Sequence, residues 1–191
     1  MAEVKQNGII VSPSKGSGDT TLQVKAEIAN RGNRVIQLAA FEVEGTGVAT
    51  KKQFVATHLP ADEFIEFDNK KPAVDKGGGT VTLTGKSNSQ KITFSKGTGD
   101  IIDANLAAIK FTANGAAATS GTAISGDPGA KAKYSFSLTL TAAANETIEA
   151  RTQQIIAAAN GGQKATATLS QTAGDPFIEV VPTNIDVSQA A

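Results

Sequence analysis

The sequence predicts an all-β protein of the sandwich type, on three observations. Short stretches alternate apolar and polar residues with period two, as Thr21-Leu22-Gln23-Val24-Lys25-Ala26-Glu27-Ile28 and Tyr134-Ser135-Phe136-Ser137-Leu138-Thr139-Leu140 do. Turn clusters separate them at short intervals, among them Lys15-Gly16-Ser17-Gly18-Asp19, Gly77-Gly78-Gly79, Gly126-Asp127-Pro128-Gly129 and Asn160-Gly161-Gly162. A third observation is an internal repeat, set out below. Period two with β-branched neighbours and regular turns is the pattern of half-buried strands in a sandwich.

In chain order, Ile9-Ile10-Val11-Ser12 is a short apolar run bounded by turns. The stretch 21–28 places Leu22, Val24, Ala26 and Ile28 on one face. Gln53-Phe54-Val55-Ala56-Thr57 and Phe64-Ile65-Glu66-Phe67 follow, then the alternating Thr80-Val81-Thr82-Leu83-Thr84. The Ala-rich Asp103-Ala104-Asn105-Leu106-Ala107-Ala108-Ile109-Lys110 predicts one or two helical turns. Ile148 to Ala159 contains good helix formers, yet the repeat sets it against a strand, and context outranks propensity there. Ala165-Thr166-Ala167-Thr168-Leu169-Ser170 alternates again.

The chain has 191 residues, with 18 Lys+Arg against 18 Asp+Glu. That length suits one large domain or two small ones. Zero net charge argues against a nucleic-acid-binding tail or a polybasic membrane patch. The absence of Cys excludes disulfides, thiol catalysis and thiolate metal sites. A single His excludes multi-His metal clusters, and the lack of Trp with one Tyr leaves few aromatic platforms for sugars or single strands. The opening Met1-Ala2-Glu3-Val4-Lys5-Gln6-Asn7-Gly8 has no apolar core of a secretory signal, and Ile155-Ile156-Ala157-Ala158-Ala159 is far shorter than a membrane span. The expectation is a chain without encoded export and without a membrane partner.

The repeat is the most informative feature. Phe64-Ile65-Glu66-Phe67 returns 113 positions later as Phe177-Ile178-Glu179-Val180. Without a gap Val74 falls on Val187, Asp62 on Asp175 and Lys51 on Lys164. Gln53–Thr57 lies over Thr166–Ser170, Arg34-Val35-Ile36 near Thr147-Ile148-Glu149, and Ile9–Ser12 over Thr122-Ala123-Ile124-Ser125. One gap aligns Leu22-Gln23-Val24 with Phe136-Ser137-Leu138. The expected organisation is a partial domain at 1–62, a complete one at 63–176, and a strand-like tail at 177–191. A truncated sandwich exposes strand edges and an apolar face. The tail residues Phe177, Ile178, Val180, Ile185 and Val187 are apolar enough to cover such a face, in the same chain or in a neighbouring copy, by strand addition.

Few groups invite chemistry. His58 lies in a strand-like segment without a partner motif and reads as a solvated position. Asp100, Asp103 and Asn105 sit at offsets 0, 3 and 5, not at the spacing of a calcium loop, and read as loop caps. The Gly-rich runs lack a strand–helix frame and read as turns. Lys51-Lys52 and Lys70-Lys71 read as solvated strand ends, and Asn145-Glu146-Thr147 as a turn. No nucleophile elbow, phosphate loop or zinc-protease motif is present. No catalytic residue, cofactor or metal is expected.

The tract Lys164-Ala165-Thr166-Ala167-Thr168-Leu169-Ser170-Gln171-Thr172-Ala173-Gly174-Asp175-Pro176-Phe177-Ile178-Glu179-Val180-Val181-Pro182-Thr183 resembles the junction between tandem BACON-type bacterial Ig-like domains. Val11 to Leu22 resembles the mid-domain turn and strand of that family. Ala29-Asn30-Arg31-Gly32-Asn33-Arg34 and Ala144-Asn145-Glu146-Thr147 resemble its Asn-centred turn. The sequence departs from the family in lacking the usual Trp and the front half of the first domain. The resemblance implies tandem Ig-like β-sandwiches with an extra C-terminal strand. BACON-like domains occur in secreted carbohydrate-active proteins and in virion proteins of crAss-like phages, and the missing export signal favours the phage setting. What the resemblance then implies is a virion structural protein assembled in the host cytoplasm: an auxiliary capsid (head decoration) subunit. Its partners would be the major capsid protein and other copies of itself, with host-surface glycans as a further candidate and no nucleic acid. The alternatives are a carbohydrate-binding or adhesion module, or a phage tail or fibre component.

Overall fold

A computed structural model describes residues 3–16, 20–47 and 49–179. Among them the strands run β1 (Val4–Gln6), β2 (Ile9–Ser12), β3 (Gln23–Ala26), β4 (Ile36–Val43), β5 (Lys52–His58), β6 (Ile65–Phe67), β7 (Ala73–Val74), β8 (Gly79–Ser87), β9 (Ile92–Lys96), β10 (Lys110–Ala113), β11 (Ala116–Thr119), β12 (Tyr134–Ala142), β13 (Arg151–Ala159) and β14 (Lys164–Gln171). The expected helical turn near 103–110 is a single 3-10 turn, Leu106–Ala108, capped by Asn105 Oδ1, which accepts from Ala107 N–H at 3.1 Å. Ile148 to Ala159 is strand from Arg151 onward, because its inward side chains Gln153, Ile155, Ala157 and Ala159 repeat every second residue.

The fold is all-β and Ig-like. One sheet has the order β11-β10-β12-β8-β6 and the facing sheet the order β7-β14-β13-β9. Read outward, β6-β8-β12-β10 is the A-B-E-D sheet of an Ig sandwich, and β9-β13-β14 its C-F-G sheet. The short β7 runs parallel to β14, pairing Ala73 with Ser170 and Val74 with Gln171, which is the A′ position. Strands β8 and β12 stay in register over nine residue pairs, so Val81 and Leu83 face inward together with Phe136, Leu138 and Leu140 while their threonines face out.

The core between these sheets is organised on phenylalanines. Phe94 meets Phe111 edge-on at 5.1 Å and Phe136 at 5.9 Å, and Phe136 meets Phe67 at 5.7 Å. Small residues Ala157 and Ala167, both fully buried, leave room for these rings. Burying one such ring stabilises the fold by about 1.5–3 kcal/mol.

Residues 4–58 form a smaller, more open body. Strands β1-β2-β3 make one sheet and β4-β5 another. Between them lie Ile9, Val11, Phe41 and Ala56, with Phe54 against them; Phe41 and Phe54 stack at 5.2 Å. Two expectations need correction. The face bearing Leu22, Val24, Ala26 and Ile28 is not buried: every residue of β3 is exposed, and Ile28 is 75% exposed. No described strand occupies the place that β8 takes beside β12, so β3 is an edge of its sheet and its apolar side is left uncovered. Nor does Ile9–Ser12 correspond to 122–125, which lies in the loop between β11 and β12 and makes one isolated bridge, Lys91 to Ala123. The gap belongs later in the repeat. β1–β2 and β10–β11 are both two-residue hairpins closed by Asn-Gly, at Asn7-Gly8 and Asn114-Gly115, with positive φ at all four residues. Only Gly and Asn enter that region readily, and such a turn matches the twist of the strands. The hairpins differ in which strand lies inward: β2 pairs with β3, whereas β10 pairs with β12.

Phe94→Ala should lower unfolding stability by about 3–5 kcal/mol in a urea titration, since it opens a cavity beside the rings of Phe111 and Phe136. Val55→Thr, on the exposed side of β5, should change it by no more than about 0.5 kcal/mol.

Candidate interaction surface

The two bodies are joined by a buried polar clamp at the end of β8. Ser87, Asn88 and Ser89 are all fully buried. Asn88 Oδ1 accepts from Phe64 N–H at 2.9 Å, and its Nδ2 donates to Asp62 O at 3.0 Å, so one side chain fixes the linker at two points. The Asn88 carbonyl accepts from Asn33 Nδ2 at 2.6 Å, and Asn33 N–H reaches Gly129 O at 2.8 Å, tying in the N-terminal body. Ser87 Oγ donates to Phe64 O, and Ser89 Oγ to Glu63 Oε1, each at 2.8 Å. Glu63 Oε2 in turn accepts from Gly161 N–H in the β13–β14 turn. Gly32 lies so close to Ala130 that a Cβ there would stand 2.2 Å from its carbonyl oxygen. The exposed pair Arg34 Nε–Asp127 Oδ2, at 2.8 Å, adds about 0–1 kcal/mol. Beside the clamp is a cleft of 460 Å³ lined by Arg31, Asp62, Phe64, Asn88 and Lys133; the Lys133 ammonium sits 4.3 Å over the Phe64 ring.

A second asparagine device occurs once in each body. Asn145 Nδ2 donates to Glu149 O and Thr172 O, while Oδ1 accepts from Thr147 N–H. Asn30 does the same toward Arg34 O, Leu59 O and Gly32 N–H. Each ties the turn before a strand to the end of the next strand, so the Asn-centred turns seen in sequence are buried corner locks. His58 belongs to one of them: its Nε2 accepts from Asn30 N–H at 3.0 Å, and the ring is half-buried and not solvated.

The apolar surface left uncovered lies on the N-terminal body. Its two sheets part to leave a groove of 380 Å³ whose apolar lining includes Val4, Val11, Leu22, Phe41, Val43 and Phe54. Val4, Leu22, Val24, Val43 and Val55 are each more than a third exposed. The outer edge of β5 has no described neighbour, whereas the same edge of β14 carries β7. Of the predicted tail residues, Phe177 and Ile178 are 75% and 93% exposed. Val180, Ile185 and Val187 lie outside the described residues. Among the described residues no group of three or more His, Asp or Glu is placed to hold a metal. Asp100 and Asp103 are exposed.

The sequence reading missed the clamp. Ser87-Asn88-Ser89 looks like any polar turn after an alternating strand, and nothing local says that it is buried. The Asn-Gly hairpins carried a strong local signal that was available at Asn7 and Asn114.

No protein-family model matches the chain, and no curated protein matches it. Among solved structures, the NMR structure of a protein from Bacteroides thetaiotaomicron is similar at 14% identity and a TM-score of 0.30, over 61% of this chain and 92% of that one.

Asn88→Ala should cost about 1–3 kcal/mol in urea unfolding, since it removes the fully buried side chain that pairs the Phe64 N–H and the Asp62 carbonyl. Tyr134, whose hydroxyl donates to Ser89 O at 2.7 Å, gives a pH signature at the same place. Burial pushes its pKa up to about 12, above the ordinary value near 10. The unfolded chain therefore ionises first. This contribution is whole below about pH 10 and is lost as pH rises through about 12. Tyr134→Phe should flatten that part of the stability–pH curve.

Proposed function

We propose that the chain is a structural subunit of a phage virion, an auxiliary capsid protein that decorates the head and binds the capsid surface through its Ig-like units. The observation that carries this reading is the open N-terminal body. It presents a row of exposed valines and leucines, an apolar groove and a strand edge without a described neighbour, held in fixed relation to a fully packed sandwich by the Asn88 clamp. A closed unit that carries an open one on a stiff joint suits shape-and-area binding between neighbours in an assembly. The subunit would add buried surface at their junctions and stabilise the assembled state by mass action. The exposed large side chains of this body are aliphatic, which favours a protein partner over a sugar, since sugar faces stack on aromatic rings. The junction motifs resemble tandem BACON-type domains, which occur in virion proteins of crAss-like phages as well as in secreted carbohydrate-active proteins.

Quantitative mass spectrometry of purified phage particles from the source tests this reading. Hundreds of copies per particle are expected. A handful would move the protein to a tail or fibre. Absence from the particle would overturn the virion reading and make a glycan array the next measurement.

A further inference from the structure

We infer that the edge of β5 left without a described neighbour is a strand-acceptor site, and that its occupant is the segment around Ile185–Val187 from a second copy of this chain. The register follows from the complete unit. There, β7 lies parallel on β14, with Ser170 opposite Ala73 and Gln171 opposite Val74. The bonds that hold it run from Thr168 N–H to Lys70 O at 2.8 Å and from Ser170 N–H to Pro72 O at 3.1 Å. The 113-residue repeat carries β14 onto β5 and β7 onto 186–187. Thr168 becomes Val55, Ser170 becomes Thr57 and Gln171 becomes His58. Lys70, Pro72, Ala73 and Val74 become Thr183, Ile185, Asp186 and Val187. Inward and outward positions agree across the repeat: Ala56 is buried where Leu169 is, and Val55 and Thr57 face out. The donor N–H groups of Val55 and Thr57 therefore point to the edge that β7 occupies on the other unit, and the acceptors would be Thr183 O and Ile185 O. Val187 would cap the small core as Val74, 5% exposed, caps the large one.

Reach decides in favour of a second copy. Asp175 is held at the far end of the second unit by Lys76, at 2.6 Å. The β13–β14 turn is held at the junction by Glu63. β14, 8 residues long, separates these ends by about 26 Å. The ten residues from Asp175 to Ile185 reach about 35 Å fully extended. To pair in parallel with β5, which runs toward the junction, the segment would have to recross the whole unit, pass the junction and turn back. In a neighbouring copy no such return is needed.

This inference deepens the assembly reading and rests on it for its setting, but its test is made on isolated protein. The chain has no Cys, so introduced pairs report cleanly. Thr57→Cys and Asp186→Cys are made in separate full-length chains, mixed and oxidised. Opposed parallel positions lie about 4.8 Å apart, within disulfide reach, whereas a two-residue slip puts the pair beyond about 7 Å. A crosslinked heterodimer is expected from that mixture, with a several-fold lower yield when Val55→Cys replaces Thr57→Cys. No crosslink, or equal yields at both positions, would overturn the register. An internal disulfide in the doubly substituted chain would overturn the second copy as occupant. Any of these failures leaves the particle count standing as a separate result.

Discussion

The structure depends first on one buried asparagine. Asn88 sits where the linker, the N-terminal body and the loop before β12 converge, and it is fully buried. An asparagine there without partners would cost more than an apolar residue of the same size. Its side chain is satisfied at both ends by the linker backbone. Those bonds need Asp62 and Phe64 in one conformation, which places residue 61 and all before it. Ala61 N–H then bonds Gly32 O at 3.0 Å, and the N-terminal body is seated. The joint between the two bodies is thus built from directed polar contacts and not from apolar area. Directed contacts fix an angle; apolar area alone tolerates sliding.

The two bodies use the same corner lock and the same F-G pair, yet one closes and the other does not. In the second, β8 and β9 bring Val81, Leu83, Ile92 and Phe94 against the strands they flank, and β7 seals the edge of β14. In the first, the described strands offer no counterpart to these, and the core amounts to Ile9, Val11, Phe41 and Ala56 with Phe54. Its β3 is a strand whose alternation is real and whose apolar side has nothing to pack on. Period two is a property of the chain; burial is a property of the layer above it. The reading of Leu22 to Ile28 as a half-buried face failed for that reason.

The same distinction marks what was legible throughout. Alternation located β8, β12 and β14, where threonines or serines stand between apolar residues, and the repeat located β5 by its match to β14. The repeat set the helix formers of Ile148 to Ala159 against a strand, and the chain is strand there from Arg151 onward. The Asn-centred turns were visible as turns, but not as locks, because the carbonyls they hold at Leu59 and Thr172 lie 29 and 27 residues away. Ser87-Asn88-Ser89 was invisible as a site for the same cause: each of its key partners comes from another part of the chain. Local chemistry names turns, and only the fold says which turns are buried.

The geometry of the inferred pairing also bears on how such a subunit would assemble. The β5 edge and the 185–187 segment are different surfaces, so each contact joins a donor to an acceptor and either runs head-to-tail through successive copies or is exchanged reciprocally between two. Two main-chain bonds and one valine are a small contact, since a net hydrogen bond stabilises by about 0.5–1.5 kcal/mol and a buried valine by about 1.5–3 kcal/mol. In dilute solution the loss of translational freedom on association offsets most of that. On a surface that already holds copies at fixed spacing, the second contact is effectively intramolecular and the same few bonds suffice. An acceptor edge of this strength is therefore occupied only transiently in the free protein, long enough for a disulfide to trap the pair, and is held in the assembly, which limits indiscriminate pairing of an exposed strand.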